Sequence, residues 1–229
     1  MSKKKKKRKL KIKNIIIFIC LLVLFLFLIY YIFNMPIKNI YIKGNTILSD
    51  NDILSISKID NYPSFLLTSN NEIEKRLKAN EYVKDVKVKK KVGNIIVVYL
   101  IEYKVLAVDS SDSMIILSNG NKISNNYNIF DVPVITNEIN KSIYDNFCKK
   151  FNKVNIDILR QISEITYSPV LVDDERFQLY MDDGNLVYIT LTKIDKLNKY
   201  NSIKAAMGGK KGIIYLDSGD YIELKDKSW

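Results

Sequence analysis

Two short motifs place serine and lysine side chains at spacings used in acyl-transfer chemistry. Ser55-Ile56-Ser57-Lys58 fits Ser-x-x-Lys, in which a lysine activates a serine nucleophile, and Ser49-Asp50-Asn51 fits Ser-Asp-Asn; Lys210-Lys211-Gly212 is a poor third member of the set. Their order argues against an active site. Ser-Asp-Asn precedes Ser-x-x-Lys by only six residues, so both fall on one capped helix, whereas the chemistry draws its groups from separate elements around the nucleophile. Asp173-Asp174-Glu175 and Asp182-Asp183-Gly184 offer carboxylate oxygens that suit a hard cation, but their spacing matches no calcium loop and Asp183-Gly184 reads as a turn. A glycosidase pair would need a sugar cleft rich in exposed aromatics, of which the sequence gives no clear sign. The chain has no histidine, which removes imidazole triads and the usual zinc clusters. Cys20 and Cys148 lie far apart, Cys20 within an apolar run, so one chain assembles neither a disulfide framework nor a thiolate site. No catalytic residue, metal or cofactor is expected.

Recognition chemistry is better represented. Most of the fifteen tyrosines sit in strand-like segments, where a ring packs on a pleated surface. Tyr215 and Tyr221 differ, because they fall in a hairpin at the end of the chain. A last strand is often a sheet edge with free backbone donors and acceptors, to which a partner strand can add while side chains supply selectivity.

The elements that would carry these residues follow from periodicity. Ile37 to Lys43 alternates and ends at Gly44-Asn45; Ser49 with Asp52 caps a helix through about Ile56, and Ser69 with Glu72 caps a second one ending near Ala79. Glu72/Arg76 and Glu74/Lys78 are spaced to pair at i,i+4. Val86 and Val88 alternate, Gly93-Asn94 turns the chain, and Ile95 to Ile101 returns it. Residues 37–106 thus read as a βααββ module with its helices on one face of a three-stranded sheet, followed by a strand-rich part over 107–225. There Met114 to Leu117 and Ile123 form a hairpin, and an extended piece begins at Val132-Pro133. Lys141 to Val154 is helical, and Ile156, Leu159 and Ile162 suggest a short helix. Phe177 to Met181 and Leu186 to Thr190 form a hairpin, Thr192 with Asp195 caps a helix ending at Gly208-Gly209, and Gly212 to Leu224 is the last hairpin. The fold class is α+β, a mixed β-rich part ending in an antiparallel sheet.

Charge and hydropathy set the topology. The 229 residues carry 36 Lys+Arg against 25 Asp+Glu, and nine of the basic residues lie between Lys3 and Lys13, leaving the rest close to neutral. Ile15 to Phe33 holds no charge, and its 19 residues at ~1.5 Å rise match the hydrocarbon thickness of a bilayer. Tyr30 and Tyr31 suit the interface at its far end. The positive-inside rule then keeps residues 1–14 in the cytoplasm, beside anionic lipid, and places everything after Pro36 outside. A nucleic-acid arm would need a reading domain beside it, and none follows; no small-molecule substrate is expected either.

The element order directly outside an apolar helix resembles a POTRA domain. The first strand with Gly44-Asn45, the helix start at Ser49 to Ile53, Val83 to Val88, the strand ending at Glu102 and Ala107 beyond it are similar to the FtsQ/DivIB family of bacterial division proteins. The similarity continues through Ile115 to Ile123, Val132 to Ile135, Ile162 to Ile165, Asp183-Gly184, Lys196-Leu197 and Gly212 to Gly219. Val92-Gly93 stands where family members often carry an aromatic-Pro pair, and Tyr103 and Val105 where they carry Arg and Pro. The resemblance implies a non-enzymatic single-pass scaffold at the division septum. Its C-terminal region would bind small FtsB/DivIC-like and FtsL-like membrane proteins, with Tyr215, Leu216, Ser218, Gly219, Tyr221, Ile222 and Leu224 in the matching place. The alternative is a membrane-anchored cell-wall hydrolase or transpeptidase acting through Ser55 and Lys58 or through the acidic cluster.

Overall fold

The computed structural model describes residues 12–225; the basic run from Lys3 to Lys11 lies outside the described residues. Helix α1, Ile12–Phe33, has 22 residues, none of them buried by the rest of the chain, and spans about 33 Å at ~1.5 Å per residue. It is long and apolar enough to cross a membrane. It begins three residues before Ile15, taking in Lys13, whose long stem can lie along an apolar helix while its ammonium reaches water.

The chain divides into two compact units that part between Glu102 and Tyr103, with α1 belonging to the first. The first contains β1 (Asn39–Lys43), α2 (Asp50–Ser57), α3 (Asn70–Lys78), β2 (Val83–Lys91) and β3 (Ile95–Glu102). The sheet runs β1-β3-β2, with β1 parallel and β2 antiparallel to β3. Ile53, Ile73 and Leu77 from the helices and Val86, Val88, Ile96, Val98 and Leu100 from the strands are buried in its core.

The two predicted helix caps behave differently. Ser49 makes the reciprocal box: its hydroxyl accepts from Asp52 N at 3.2 Å and its own N–H donates to Asp52 at 3.0 Å. Ser69 occupies the N-cap of α3 without a side-chain bond. Glu72 pairs with Arg76 at 3.2 Å as expected, but Glu74 accepts from Val88 N at 2.7 Å and Lys78 pairs with Asp85 at 2.8 Å. An exposed i,i+4 ion pair contributes little, whereas a carboxylate on a backbone N–H of neighbouring β2 makes a charge-assisted bond, so tertiary geometry wins.

The second unit contains β4 (Val105–Asp109), β5 (Ile115–Leu117), β6 (Lys122–Ile123), β7 (Val134–Ile135), α4 (Lys141–Phe151), α5 (Ile156–Leu159) and β8 (Ile162–Tyr167). Then come β9 (Arg176–Met181), β10 (Leu186–Thr190), a 3-10 helix over Leu191–Lys199, α6 (Tyr200–Ala206), β11 (Gly212–Tyr215) and β12 (Tyr221–Leu224). Strand β4 runs through the position after Leu106 where the sequence pattern divides the chain.

These nine strands make one mixed sheet in the order β12-β11-β10-β9-β8-β7-β4-β5-β6. β7 is parallel to β4, from which β5 and β6 separate it; β7 is also parallel to β8, and β11 to β10, with a helical crossover in each connection. The terminal pair β11–β12 is antiparallel. Phe147 and Phe151 of α4 pack on each other and on Phe177 of β9, with ring centroids 4.4 to 6.0 Å apart.

Ile162 opens β8 rather than closing a short helix. The Thr192/Asp195 cap is not formed: the N-cap is Thr190, and the segment is 3-10 before it becomes α at Tyr200. Leu191, Ile194, Leu197 and Tyr200 recur every third residue and are all buried, a period that aligns on one face at three residues per turn and drifts off it at 3.6.

Candidate functional site

The terminal hairpin begins at a buried hydrogen-bond network. Tyr200, fully buried, donates to the Asp183 carboxylate at 2.8 Å; Asn185 Nδ2 donates to the Tyr200 hydroxyl at 3.0 Å, and Asn185 Oδ1 accepts from Gly212 N at 2.9 Å. Lys204 closes the network on Asp183 at 2.9 Å. It fixes where β11 starts. Gly212 faces Leu224 across the pair, and a Cβ on it would lie 2.4 Å from Glu223 O, so only glycine lets β12 close on β11 here.

Strand β12 ends the sheet, and all four of its residues are exposed. Lys225 N donates to Lys211 O at 2.9 Å, so the antiparallel alternation aims the backbone groups of Tyr221 and Glu223 at β11 and those of Ile222 and Leu224 outward. Ile222 and Leu224 share the core-side face with Ile214, yet remain 40% and 45% exposed. Among the described residues no strand pairs with this edge, which thus offers N–H and C=O groups beside half-exposed apolar side chains.

The opposite face carries a ladder of rings. Tyr188, Tyr215 and Tyr221 stack across β10, β11 and β12 with centroids 5.3 and 4.4 Å apart, and the Arg176 guanidinium lies 4.0 Å over Tyr188. Tyr221, at the open end, is half exposed.

The connecting turn is held by charge. Arg176 Nε donates to Asp217 at 2.7 Å, Ser218 N donates to the same carboxylate at 2.8 Å, Lys193 Nζ donates to Asp217 O at 2.6 Å, and Lys196 pairs with Asp220. Asp220, not Gly219, takes the left-handed conformation, at φ +55°.

Burial alone would raise the Asp217 carboxyl; the bonds from Arg176 and Ser218 outweigh it and hold the group below its ordinary value. A depressed folded-state pKa means the unfolded chain binds more protons. This stabilisation is therefore present above the ordinary carboxylate value, near 3.8, and is lost as pH falls through the folded one. Amide exchange in β11 and β12, corrected for intrinsic rates, is expected to accelerate as pH drops below about 4, and Asp217→Asn is expected to remove that acid dependence. Acid dependence unchanged in the variant would assign it to other carboxylates.

Of the residues singled out in the sequence, Tyr215, Tyr221, Ile222 and Leu224 are gathered on this hairpin, with Ser218 and Gly219 exposed in its turn. Leu216 is 5% exposed and belongs to the core, so it holds the hairpin down instead of facing outward. Arg176, Tyr188 and Lys193 escaped sequence reasoning. Tyr188 alone carried a signal, its alternation in β10; no local pattern shows that Arg176, more than 40 residues upstream, reaches Asp217.

The acyl-transfer motifs are structural parts of α2. The Ser49 hydroxyl serves the cap, Ser55 is exposed, and Lys58 is the left-handed C-cap, its N–H bonded to Leu54 O and Ser55 O. The two acidic runs sit at opposite ends of β9. Asp183 is engaged by Tyr200 and Lys204, while Asp173 accepts from Glu175 N and Thr190 Oγ1. Among the described residues, no three His, Cys, Asp or Glu side chains are grouped to hold a metal ion.

Comparison with known proteins matches both units. The family described as POTRA domain, FtsQ-type, matches residues 35–103, and that described as Cell division protein FtsQ/DivIB, C-terminal, matches residues 105–224. Cell division protein DivIB of Bacillus subtilis is 30% identical over 193 residues, covering 82% of this chain and 73% of the relative. Cell division protein DivIB of Listeria monocytogenes is 28% identical over 191 residues, covering 80% and 71%. The solved extracytoplasmic domain of DivIB from Geobacillus stearothermophilus, trans isomer, aligns with 47% of this chain and 95% of its own, at 25% identity and a TM-score of 0.39.

Proposed function

This chain belongs to the FtsQ/DivIB family of cell division proteins, and on that premise we propose that it is a non-enzymatic membrane scaffold whose external part assembles other division proteins at the septum. The observation that carries the proposal is the open edge of β12, where Ile222 and Leu224 turn their backbone groups outward beside exposed apolar side chains. Such an edge accepts an added strand. FtsB/DivIC-like and FtsL-like single-pass proteins are its partners in this reading.

Anchoring all of them in one bilayer raises their effective concentration, so modest edge contacts are enough to hold a complex. The basic tail lies in the cytoplasm, and both compact units lie outside, because translocating nine clustered cations is strongly disfavoured. Protease added to intact protoplasts is expected to remove the region after Pro36 and to spare an epitope fused before Met1. Protection of the C-terminal region would reverse the topology and remove the scaffold from the wall side. Binding at the edge itself is tested by the Ile222→Pro variant argued below.

A further inference from the structure

Two loops of the first unit are tied by hydrogen bonds to the point where α1 ends. Ser64 Oγ donates to Phe33 O at 2.5 Å and Phe65 N donates to Met35 O at 2.8 Å. From the other side, Asn94 Nδ2 donates to Pro36 O at 3.0 Å, and Lys38 N donates to Asn94 O at 2.8 Å. Residues 61–68 and the β2–β3 hairpin tip are thereby fixed beside the last turn of α1. Both carry exposed apolar side chains: Tyr62 is 45% exposed, Leu66 46%, Leu67 66% and Val92 99%. Tyr62 holds its place at φ +47°, a conformation unusual for an aromatic residue.

The charge around this patch is mostly positive. Segments 33–38, 58–68 and 89–94 contain five lysines against one aspartate, Asp60. Lys90 braces the patch, its ammonium 4.9 Å over the Phe65 ring and bonded to Leu66 O at 3.3 Å, while Lys38, Lys58 and Lys91 are exposed.

We propose that Tyr62, Leu66, Leu67 and Val92 form a collar that inserts into the outer face of the same bilayer α1 crosses, with the surrounding lysines on anionic headgroups. Continuity with α1 names the occupant: a helix end bonded directly to two apolar loops delivers them to the interfacial layer, where amphipathic rings and aliphatic tips are stabilised. Lysines close to that surface gain from its negative potential. The collar thus fixes the tilt of the first unit on the membrane. The inference requires that α1 span the bilayer, and is otherwise independent of edge docking.

The test uses the full chain reconstituted in vesicles containing phosphatidylglycerol, a fluorophore on single cysteines, and lipids brominated near the headgroup for the loop positions or deep in the acyl chains for Cys20, which lies near the middle of α1. Cys148 is buried, which pushes its thiol up to about 11 and keeps it unlabelled, so native Cys20 in α1 serves as the anchor control. In a Cys20→Ala background, labels at Leu67→Cys and Val92→Cys are expected to be quenched at least about twofold more than one at Lys84→Cys, eight residues before Val92 and about 26 Å back along the extended chain. Lys38→Glu with Lys91→Glu is expected to reduce that quenching. Quenching at Cys20 with none at either loop overturns the collar and leaves the patch to a protein partner. Absence of quenching at Cys20 itself removes the anchor and, with it, the collar.

Discussion

Replacing Ile222 by proline is expected to abolish co-purification with the external segments of FtsB/DivIC-like and FtsL-like proteins while leaving the fold intact. The asymmetry comes from position. The Ile222 N–H points away from β11, so losing it breaks no bond of the sheet, and proline on the solvent side of an edge strand is tolerated. An incoming strand loses a donor there and meets the pyrrolidine ring instead, which removes about two rungs of the new ladder. At roughly 1 to 1.5 kcal/mol per hydrogen bond that is about 2 to 3 kcal/mol, or about 30- to 150-fold in affinity. Ile222→Val, which keeps the N–H and a branched side chain, is expected to bind within about threefold of the parent. Calorimetric titration of the full chain with a partner's external segment measures both. A folded Ile222→Pro protein that binds at parental strength removes β12 from the proposal.

The sequence announced what is local and hid what is distant. The terminal hairpin is legible because Gly212 to Leu224 contains two alternating runs around a turn. Its attachment is not. β11 joins the sheet beside β10, in parallel, and that pairing depends on the Asn185–Gly212 bond and a helical crossover, which no local pattern encodes. The caps make the same point within one unit. Ser49 and Ser69 head similar Ser-x-x-acid motifs, yet only Ser49 caps with its side chain. Likewise the segment opening at Thr192 reads as a single capped helix, whereas the burial of Leu191, Ile194, Leu197 and Tyr200 at every third residue fits the tighter 3-10 winding. Arg176 and Tyr188 continue the ring stack inward from Tyr221 and Tyr215, an extension set by packing across β9, β10 and β11 that no local pattern encodes.

Gly44→Ala is expected to cost the first unit about 3 to 5 kcal/mol, because two independent effects coincide there. Gly44 has φ +89°, where an L side chain is strained, and a Cβ would lie 2.2 Å from the backbone oxygen of Leu100, which cannot rotate away as a side chain could. Relief requires the β1–α2 loop to lift off β3. That loop is held by one carboxylate: Glu102 accepts from Thr46 N at 2.8 Å, Thr46 Oγ1 at 2.6 Å, Ile47 N at 2.8 Å and Leu48 N at 2.9 Å. Lifting it strips several charge-assisted bonds at once and loosens Leu48, which is 2% exposed in the core. At about 4 to 8 °C per kcal/mol for a domain of this size, the melting temperature of the unit should fall by about 12 °C or more. Glu102→Gln, which replaces one acceptor oxygen by a donor, should lower stability by about 2 kcal/mol alone and by much less in the Gly44→Ala background, since the cradle is already broken there. Amide exchange at Thr46, Ile47 and Leu48 reports the coupling directly. Additive losses would mean that the glycine and the carboxylate act separately, and a melting temperature within about 2 °C of the parent would mean that the loop accommodates a Cβ without leaving β3.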